Sequence, residues 1–367
     1  MRVLIDIGHP AHVHYFKNLI RLLSDSSSVT VTCRDIDIVK KLLINYDLSF
    51  EVVGEKGSGL FAKSMRLVQT SRQIRSIIKN RRIDIAMGVS GSAVHGATFT
   101  DAASILFDDD DQAVQPLMAK FVTPLADTIL SPSALAYEKL NKAIYYPGYH
   151  ELAYLHPKRF CADPNVLAKY GLNDTEKFFI LRFNAFKAHH DVKEVGMSIE
   201  QKRKLVSVLR DYGRVFITSE ATLDKEFEDH RIPIAHEDIH HFLAFAQMLV
   251  SDSQTMTSEA AVLGTPSFRC NSFAGRISYL EEEEKRYKLT KAYLPRQFDW
   301  MLEAIKENAQ ISKVNSEWES RRQRMLEEKI DVTAFWLWFI ENYPESKNLV
   351  KTADFNYDQF RGIDSHE

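Results

Sequence analysis

Residues 247–270 read QMLVSDSQTMTSEAAVLGTPSFRC, and this stretch decides the fold. An apolar run, Met248 to Val250, enters the polar turn Ser251-Asp252-Ser253-Gln254-Thr255. A short helix is then expected from about Met256 to Gly264, with Pro266 blocking its continuation. The result is a strand, turn, helix, strand unit. A helix that starts just past the carboxyl end of a parallel strand turns unpaired N–H groups and the positive end of its dipole toward the ligand crevice, where phosphate is favoured. Asp252, Ser253, Gln254 and Thr255 are therefore candidate phosphate-binding residues, with hydroxyl donors on Ser253 and Thr255. Glu259 lies about one turn further in, placed to accept from a sugar hydroxyl. No Gly-rich fingerprint or P-loop is present. An ordinary buried helix with Asp252 or Ser253 as its N-cap fits the same residues.

Outward from this unit, strand-like and helical runs alternate along the chain, which predicts parallel sheets covered by helices on both faces. In the first half strands are expected near 3–7, 29–33, 49–53, 83–87, 104–107, 128–130 and 143–145. Helices between them are expected near 13–23, 36–45, 60–80, 92–100, 112–121 and 133–140. Around Tyr146-Pro147-Gly148-Tyr149 the alternation breaks, Pro157 and Pro164 follow, and the linker is placed there. A second series of strands opens at 178–183 and continues at 214–218. The helix from Ser198 has the S-x-x-Q spacing of a capping box to Gln201. A helix is expected over 239–246 and a last long one over 316–342, while residues after Tyr343 read as a polar tail. The fold expected is α/β, with a first Rossmann-like domain over 1–150, a second over 151–345 and a tail over 346–367.

The chain has 367 residues, enough for about two domains with their own cores. Its 47 basic and 50 acidic residues give a net charge of −3, without the basic excess that a nucleic-acid partner calls for. Cys33, Cys161 and Cys270 lie far apart and have no metal or redox spacing, so a reducing cytoplasm is the expected compartment. The start, MRVLIDIG, reads as a strand instead of a secretory signal. The apolar run from Ala334 to Ile340 is too short to span a bilayer, so no transmembrane segment is expected and peripheral membrane contact is left open.

Three further stretches carry candidate chemistry. The first βα turn, Gly8-His9-Pro10-Ala11-His12-Val13-His14, ends the first strand and should line the crevice. His9, His12 and His14 have H-x-x-H-x-H spacing, but an extended H-x-H sends its two rings to opposite sides and no H-E-x-x-H pair is present, so no metal or other cofactor is expected. Gly88-Val89-Ser90-Gly91-Ser92 could hold a phosphate or carboxylate through its amides, with Gly88, Ser90 and Gly91 as candidates. Asp108-Asp109-Asp110-Asp111 follows the strand ending at Phe107. In the second half, the loop after 178–183 gathers Arg182, Asn184, Lys187, His189 and His190. His236, His240 and His241 flank a helix start, bordering a base pocket or lying on the surface.

The opening stretch resembles the D-S-G-G-I-x-E-E-A-x-x-L-G-x-P pattern of UDP-N-acetylglucosamine 2-epimerases at Asp252, Ser253, Glu259, Ala260, Leu263, Gly264 and Pro266, with Gln254 and Thr255 in place of two glycines. His12-Val13 resembles the G-G-H-V-x-P turn of the undecaprenyl-muramyl-pentapeptide N-acetylglucosaminyltransferase, and the whole chain resembles a prokaryotic domain-of-unknown-function family of the same plan. These resemblances imply a GT-B-like fold, with two doubly wound domains facing across a cleft and the aromatics Phe335, Trp336, Trp338 and Phe339 crossing back onto the first. They imply a glycosyltransferase that takes a nucleotide-sugar donor, most plausibly uridine-linked, and an acceptor of glycan, lipid or small-molecule type. Diphosphate would lie at Ser253 to Thr255 and ribose at Glu259, with leaving-group charge met by Arg182 or Lys187. His12 would serve as general base, with His9 or His14 as substitutes. Asp108 falls where the epimerases have a catalytic glutamate, whereas Gly91 falls at their aspartate. An epimerase is accordingly the second reading, and a non-catalytic sugar-nucleotide or glycan binder the third.

Overall fold

The run Val3-Leu4-Ile5-Asp6-Ile7 offers no polar face to water, and it forms the middle of a sheet buried on both sides. The computed structural model of the chain describes residues 1–54, 60–173, 175–183, 196–219, 223–311 and 316–362, the side chains of 60–66 excepted. The chain forms two compact units, one of Met1–Arg159 with Lys329–Glu367, the other of Phe160–Glu328.

In the first unit, strands β1 (Arg2–Ile7), β2 (Ser28–Arg34), β3 (Glu51–Val53), β4 (Ile85–Gly88), β5 (Ala103–Phe107), β6 (Thr128–Pro132) and β7 (Ala143–Tyr146) form a parallel sheet. Its order is β3-β2-β1-β4-β5-β6-β7, the doubly wound arrangement whose direction reverses between β1 and β4. In the second unit, β8 (Phe178–Phe183), β9 (Arg214–Ser219), β10 (Met248–Ser251), β11 (Ser267–Cys270) and β12 (Thr290–Tyr293) are again all parallel, in the order β12-β11-β10-β8-β9. Here the reversal falls between β8 and β10. Both units are thus Rossmann-like α/β sheets, as the alternation of runs predicts.

The side chains of the second sheet alternate between two cores. Phe179, Leu181, Val250, Phe268 and Cys270 face one way, and Phe178, Ile180 and Leu249 face the other, where they meet Met256 and Ala260. The helix Gln254–Leu263 therefore covers the second face. Ser253 caps it by accepting from Met256 N at 3.4 Å. It stops where Gly264 takes a left-handed φ of 79° and Thr265 N–H donates to Ala260 O. The capping box at Ser198 forms as its spacing predicts, Gln201 N donating to Ser198 Oγ and Ser198 N to Gln201 Oε1.

Several expectations are corrected. The helix expected over 316–342 is two helices, Ser316–Glu328 and Val332–Glu341. Between them Ile330 N donates to Pro147 O, and Asp331 caps the second helix while its carboxylate takes two bonds from Arg159, at 2.9 Å and 2.7 Å. Those fixed partners end the first helix. Phe335, Trp336 and Phe339 are buried in the first unit, with Trp336 edge-on to Phe107 at 4.6 Å. The expected polar tail is folded through residue 362. Phe360 is buried against Phe335 and Trp338, and Tyr357 Oη donates to Tyr145 O. The segment expected as a helix over 133–140 is a 3-10 turn, Ser133–Glu138, and that over 112–121 shrinks to Pro116–Phe121 because Pro116 sets its first turn. Strand β12 and the helix Phe298–Gln310 are additional to the elements expected.

Candidate functional site

Each sheet presents its reversal point at the carboxyl ends of its central strands, where an open α/β sheet holds a ligand. In the second unit that place is the turn after β10. Ser251 stands level with Arg182 of β8 on one side and Arg269 of β11 on the other. Residues in register on parallel strands point to the same face, so the three side chains share the face covered by Gln254–Leu263. Arg269 is buried, and its guanidinium nitrogens have no hydrogen-bond acceptor among the described residues. Burial lowers its pKa, partly offset by Tyr279 and by Glu284, Glu281 and Glu283. A buried guanidinium without acceptors calls for an anion.

The turn itself is partly satisfied from within. Ser253 N donates to Ser251 Oγ at 2.7 Å, Met256 N to Ser253 Oγ, and Asn271 Nδ2 to Asp252 O at 2.9 Å. Asp252 N also donates to Arg182 O at 3.2 Å, so two of the expected donors, the amides of Asp252 and Ser253, are already used. The amides of Gln254 and Thr255, both half-buried, have no acceptor among the described residues and remain for an anion. Glu259, expected to face a sugar hydroxyl, is buried and bonded through Oε1 to His240 Nε2 at 2.9 Å. His240 is thus an interior partner and not a surface histidine. His241 accepts from Asp163 N and lies against Phe160. Asn184, Lys187, His189 and His190 lie outside the described residues.

In the first unit the reversal point joins the turns after β1 and β4. Asp6, fully buried at the end of β1, accepts from Thr32 Oγ1 at 2.9 Å and Ser90 Oγ at 2.7 Å, while Arg34 donates to Ser92 Oγ at 2.7 Å. Burial raises the pKa of Asp6, and Ser90, Arg34 and Thr32 oppose the rise. Ser90, a candidate anion donor, is thus committed to Asp6. Gly88 passes so close to β1 that a Cβ there would lie 2.8 Å from Asp6 O, and a Cβ on Gly91 would lie 2.5 Å from Val122. The first fixes the loop, and the second leaves Gly91 no room for a side chain.

The three histidines of the first turn part ways. His9 caps the helix Pro10–Ser24, its Nδ1 accepting from Ala11 N at 3.3 Å. His14 is buried, stacked on Tyr154 and bonded to Tyr46 Oη. His12 stays at the turn, where Gly8 N donates to its Nδ1 at 3.2 Å. Burial, with His9, His150 and Arg34 adding to it, holds its pKa well below the ordinary value, so the ring is neutral. With Nδ1 accepting, the proton sits on Nε2 and His12 presents a donor. A general base is expected at His12 with His9 or His14 as substitutes; here the Nδ1 of His12 is occupied by Gly8 N, His9 caps its helix and His14 packs in the core.

An acidic cluster lies two strands away, on the order of 10 Å at the ordinary strand spacing. Asp108, Asp109 and Asp110 line a cavity with Gln112, Gln115 and Met118 at the end of β5. Burial pushes Asp108 up to about 7, Asp109 to about 6 and Asp110 to about 8, and at Asp108 and Asp110 the neighbouring carboxylates push the same way. Ser131 Oγ donates to Asp108 at 3.1 Å. A carboxylate near neutrality is matched to proton transfer at the working pH. Asp111 is buried and bonded to Tyr137 Oη.

Asp6, Arg34 and Arg269 escaped the sequence reading. Lone charges inside apolar strands, Asp6 in RVLIDI and Arg269 in SFRC, were the signal that could have found two of them, since a buried charge needs a partner.

A family model described as "Protein of unknown function (DUF354)" matches residues 1–332. No curated protein matches in sequence. Among solved structures, an S. aureus MnaA complex with UDP is 12% identical, covers 94% of this chain and 97% of its own, and has a TM-score of 0.65. A Methanocaldococcus jannaschii UDP-GlcNAc 2-epimerase in complex with UDP-GlcNAc and UDP is 13% identical, covers 89% and 99%, and has a TM-score of 0.60. A glycotransferase of kitacinnamycin, also 13% identical, covers 93% and 98% with a TM-score of 0.60. At these identities the likeness is one of fold, the GT-B-like plan of two parallel sheets.

Proposed function

The chain belongs to the DUF354 family, and from the guanidinium groups and open amides of its second unit we propose a glycosyltransferase that uses a nucleoside-diphosphate sugar, uridine-linked like the ligands of its structural neighbours. The observation that carries the proposal is the row Arg182, Ser251, Arg269, which sets two guanidinium groups beside the strand that feeds the Gln254–Thr255 amides. Two cations and two open amides suit a diphosphate, whose charge grows as the sugar leaves. Glu259, held by His240, would take the ribose. Asp252 and Ser253 shape the turn, and Lys187 with Asn184, His189 and His190 remains proposed for the same site.

On the first unit, Asp108 is proposed as the base. In the transfer, the acceptor oxygen forms a bond to the anomeric carbon, the bond from that carbon to the diphosphate breaks with its electron pair, and the acceptor proton passes to Asp108. His12, neutral with Nε2–H outward, would donate to the acceptor, and the Gly88 to Gly91 loop with Arg34 would position it. Gly91 bears on the alternative. A 2-epimerase needs a second carboxylate where Gly91 stands, and Val122 occupies the space such a side chain would need.

Calorimetry with UDP and UDP-N-acetylglucosamine tests the donor site. Saturable binding supports it, and at a hundredfold excess over Kd it would add about 2.7 kcal/mol to stability. Absence of binding to either, and to a panel of other nucleotides, overturns it. Incubation with the sugar nucleotide alone then separates the readings. A transferase releases nucleoside diphosphate only when an acceptor is supplied, an epimerase converts the donor unaided, and a binder changes nothing.

A further inference from the structure

Arg269 enters the core of the second unit as a cation, and taking an ion out of water is costly unless nearby charge compensates it. The helix that follows its strand, Ser278–Lys285, carries four consecutive glutamates, Glu281 to Glu284. A run of like charge is ordinarily left to solvent. Successive helical residues turn by about 100°, however, so the four part company. Glu282 pairs with Arg286, whereas Glu283 is fully buried and the Glu281 side chain is only 17% exposed. Glu284, three residues after Glu281, shares its face of the helix.

Each of these three carboxylates has a partner of its own. Ser258 Oγ donates to Glu283 at 2.6 Å, Ala292 N donates to Glu284 Oε1 at 3.1 Å, and Lys285 Nζ lies 2.5 Å from Glu281 Oε2. Ala292 stands level with Arg269 across the β11–β12 pair, and its side chain is a single methyl group. Glu284 is thereby fixed to the strand beside that of Arg269. Tyr279, then Glu284, Glu281 and Glu283, oppose the fall that burial imposes on the Arg269 pKa. Seen from Glu284, burial raises the pKa, the Ala292 amide opposes the rise, Glu281 adds to it and Arg269 opposes it. Yet no carboxylate among the described residues accepts a hydrogen bond from the guanidinium. A hydrogen bond needs close approach, whereas a charge acts across several ångströms. The acidic row thus tempers the charge of Arg269 and leaves its N–H groups open.

Taking the donor site proposed above as its premise, we infer that Glu284 limits how tightly the second unit grips a diphosphate. Its field opposes the anion that Arg269 attracts, so the nucleoside diphosphate left after transfer departs sooner. Glu284 touches no substrate and acts through Arg269. Without it, the site would hold its product by attraction alone, and release of product is a step that often limits turnover.

Calorimetry on the full chain at pH 8 tests it, with UDP as one probe and uridine, which has no phosphate, as the other. Glu284→Gln removes the charge, while its amide oxygen still accepts from Ala292 N. The variant should bind UDP about tenfold more tightly than the parent, through slower dissociation, and uridine no differently. The gain should vanish when Arg269→Met is also present, because the coupling runs through that residue. A merely structural role would loosen the helix and weaken binding. An affinity for UDP that is unchanged or lower in Glu284→Gln therefore overturns the inference and leaves the donor site standing. Equal gains for UDP and uridine, or a gain that survives Arg269→Met, overturn it as well. If neither parent nor variant binds UDP, the donor reading falls and this inference falls with it.

Discussion

The two reversal points answer the same topological problem with different materials. In the first unit the turns are built from groups that titrate: Asp6 and Arg34 behind Gly8, His12 at the turn, and three aspartates with raised pKa beyond β5. In the second they are built from hydroxyls, amides and fixed cations, with Ser251, Ser253, Gln254 and Thr255 between Arg182 and Arg269. On the proposed reading, one edge would move a proton near neutral pH and the other would hold a permanent anion. The comparison teaches that a shared sheet plan sets where a ligand lies, while the residues set after each strand decide what that end does.

The sharpest way to break this division is Asp108→Asn. It should cut turnover roughly 10²–10⁴-fold and leave calorimetric affinity for the sugar nucleotide unchanged. A matching fall in affinity would erase the distinction between the two edges. Arg269→Met probes the other edge. Losing charge-assisted bonds worth about 1.5–3 kcal/mol should weaken UDP binding by roughly one to two orders of magnitude. Replacing a buried, unmatched cation by an apolar side chain should leave the melting temperature unchanged or raised. Unaltered UDP affinity would make Arg269 a purely structural residue.

A smaller effect concerns pH. Asp108 and Asp110 keep their protons to about 7 and about 8 in the folded chain, whereas an unfolded carboxyl releases its proton near about 4. The unfolded state therefore binds fewer protons between these limits, and stability falls as pH rises through the window. The melting temperature should be lower at pH 8 than at pH 5. Asp110→Asn should narrow that difference, and an unchanged slope would dissociate the acidic cavity from stability. Smallest is Ser251→Ala, which removes the 2.7 Å bond to Ser253 N. Denaturant unfolding should register a loss of about 0.5–1.5 kcal/mol, with UDP affinity retained because the Ser253 amide is released to the ligand.

Much of this was legible in the residues. Strand positions followed from apolar runs such as VLIDI and MLV, and the turn at Ser253 from its place between such a run and Gly264. What escaped was which partner each polar group takes, whether near in sequence or far. Residue type alone does not announce that Ser251, two residues away, supplies the acceptor for Ser253 N, that Gly8 fixes the tautomer of His12, or that His240 claims Glu259 from another helix. The tail misled for a related reason. Its polar composition concealed Tyr357 and Phe360, whose value depends on Phe335 and Trp338 being there to receive them.

Lys329–Glu367 returns to the unit that Met1–Arg159 begins, with Arg159 gripping Asp331 where it re-enters and Trp336 filling the space against Phe107. During synthesis the order of completion is thereby inverted. Phe160–Glu328 leaves the ribosome as a whole set of strands and helices and can close its core, while the half made first must wait, with Phe16 and Phe107 lacking their indole neighbour, until the final helices emerge. The earliest residues of this chain are among the last to reach their final surroundings.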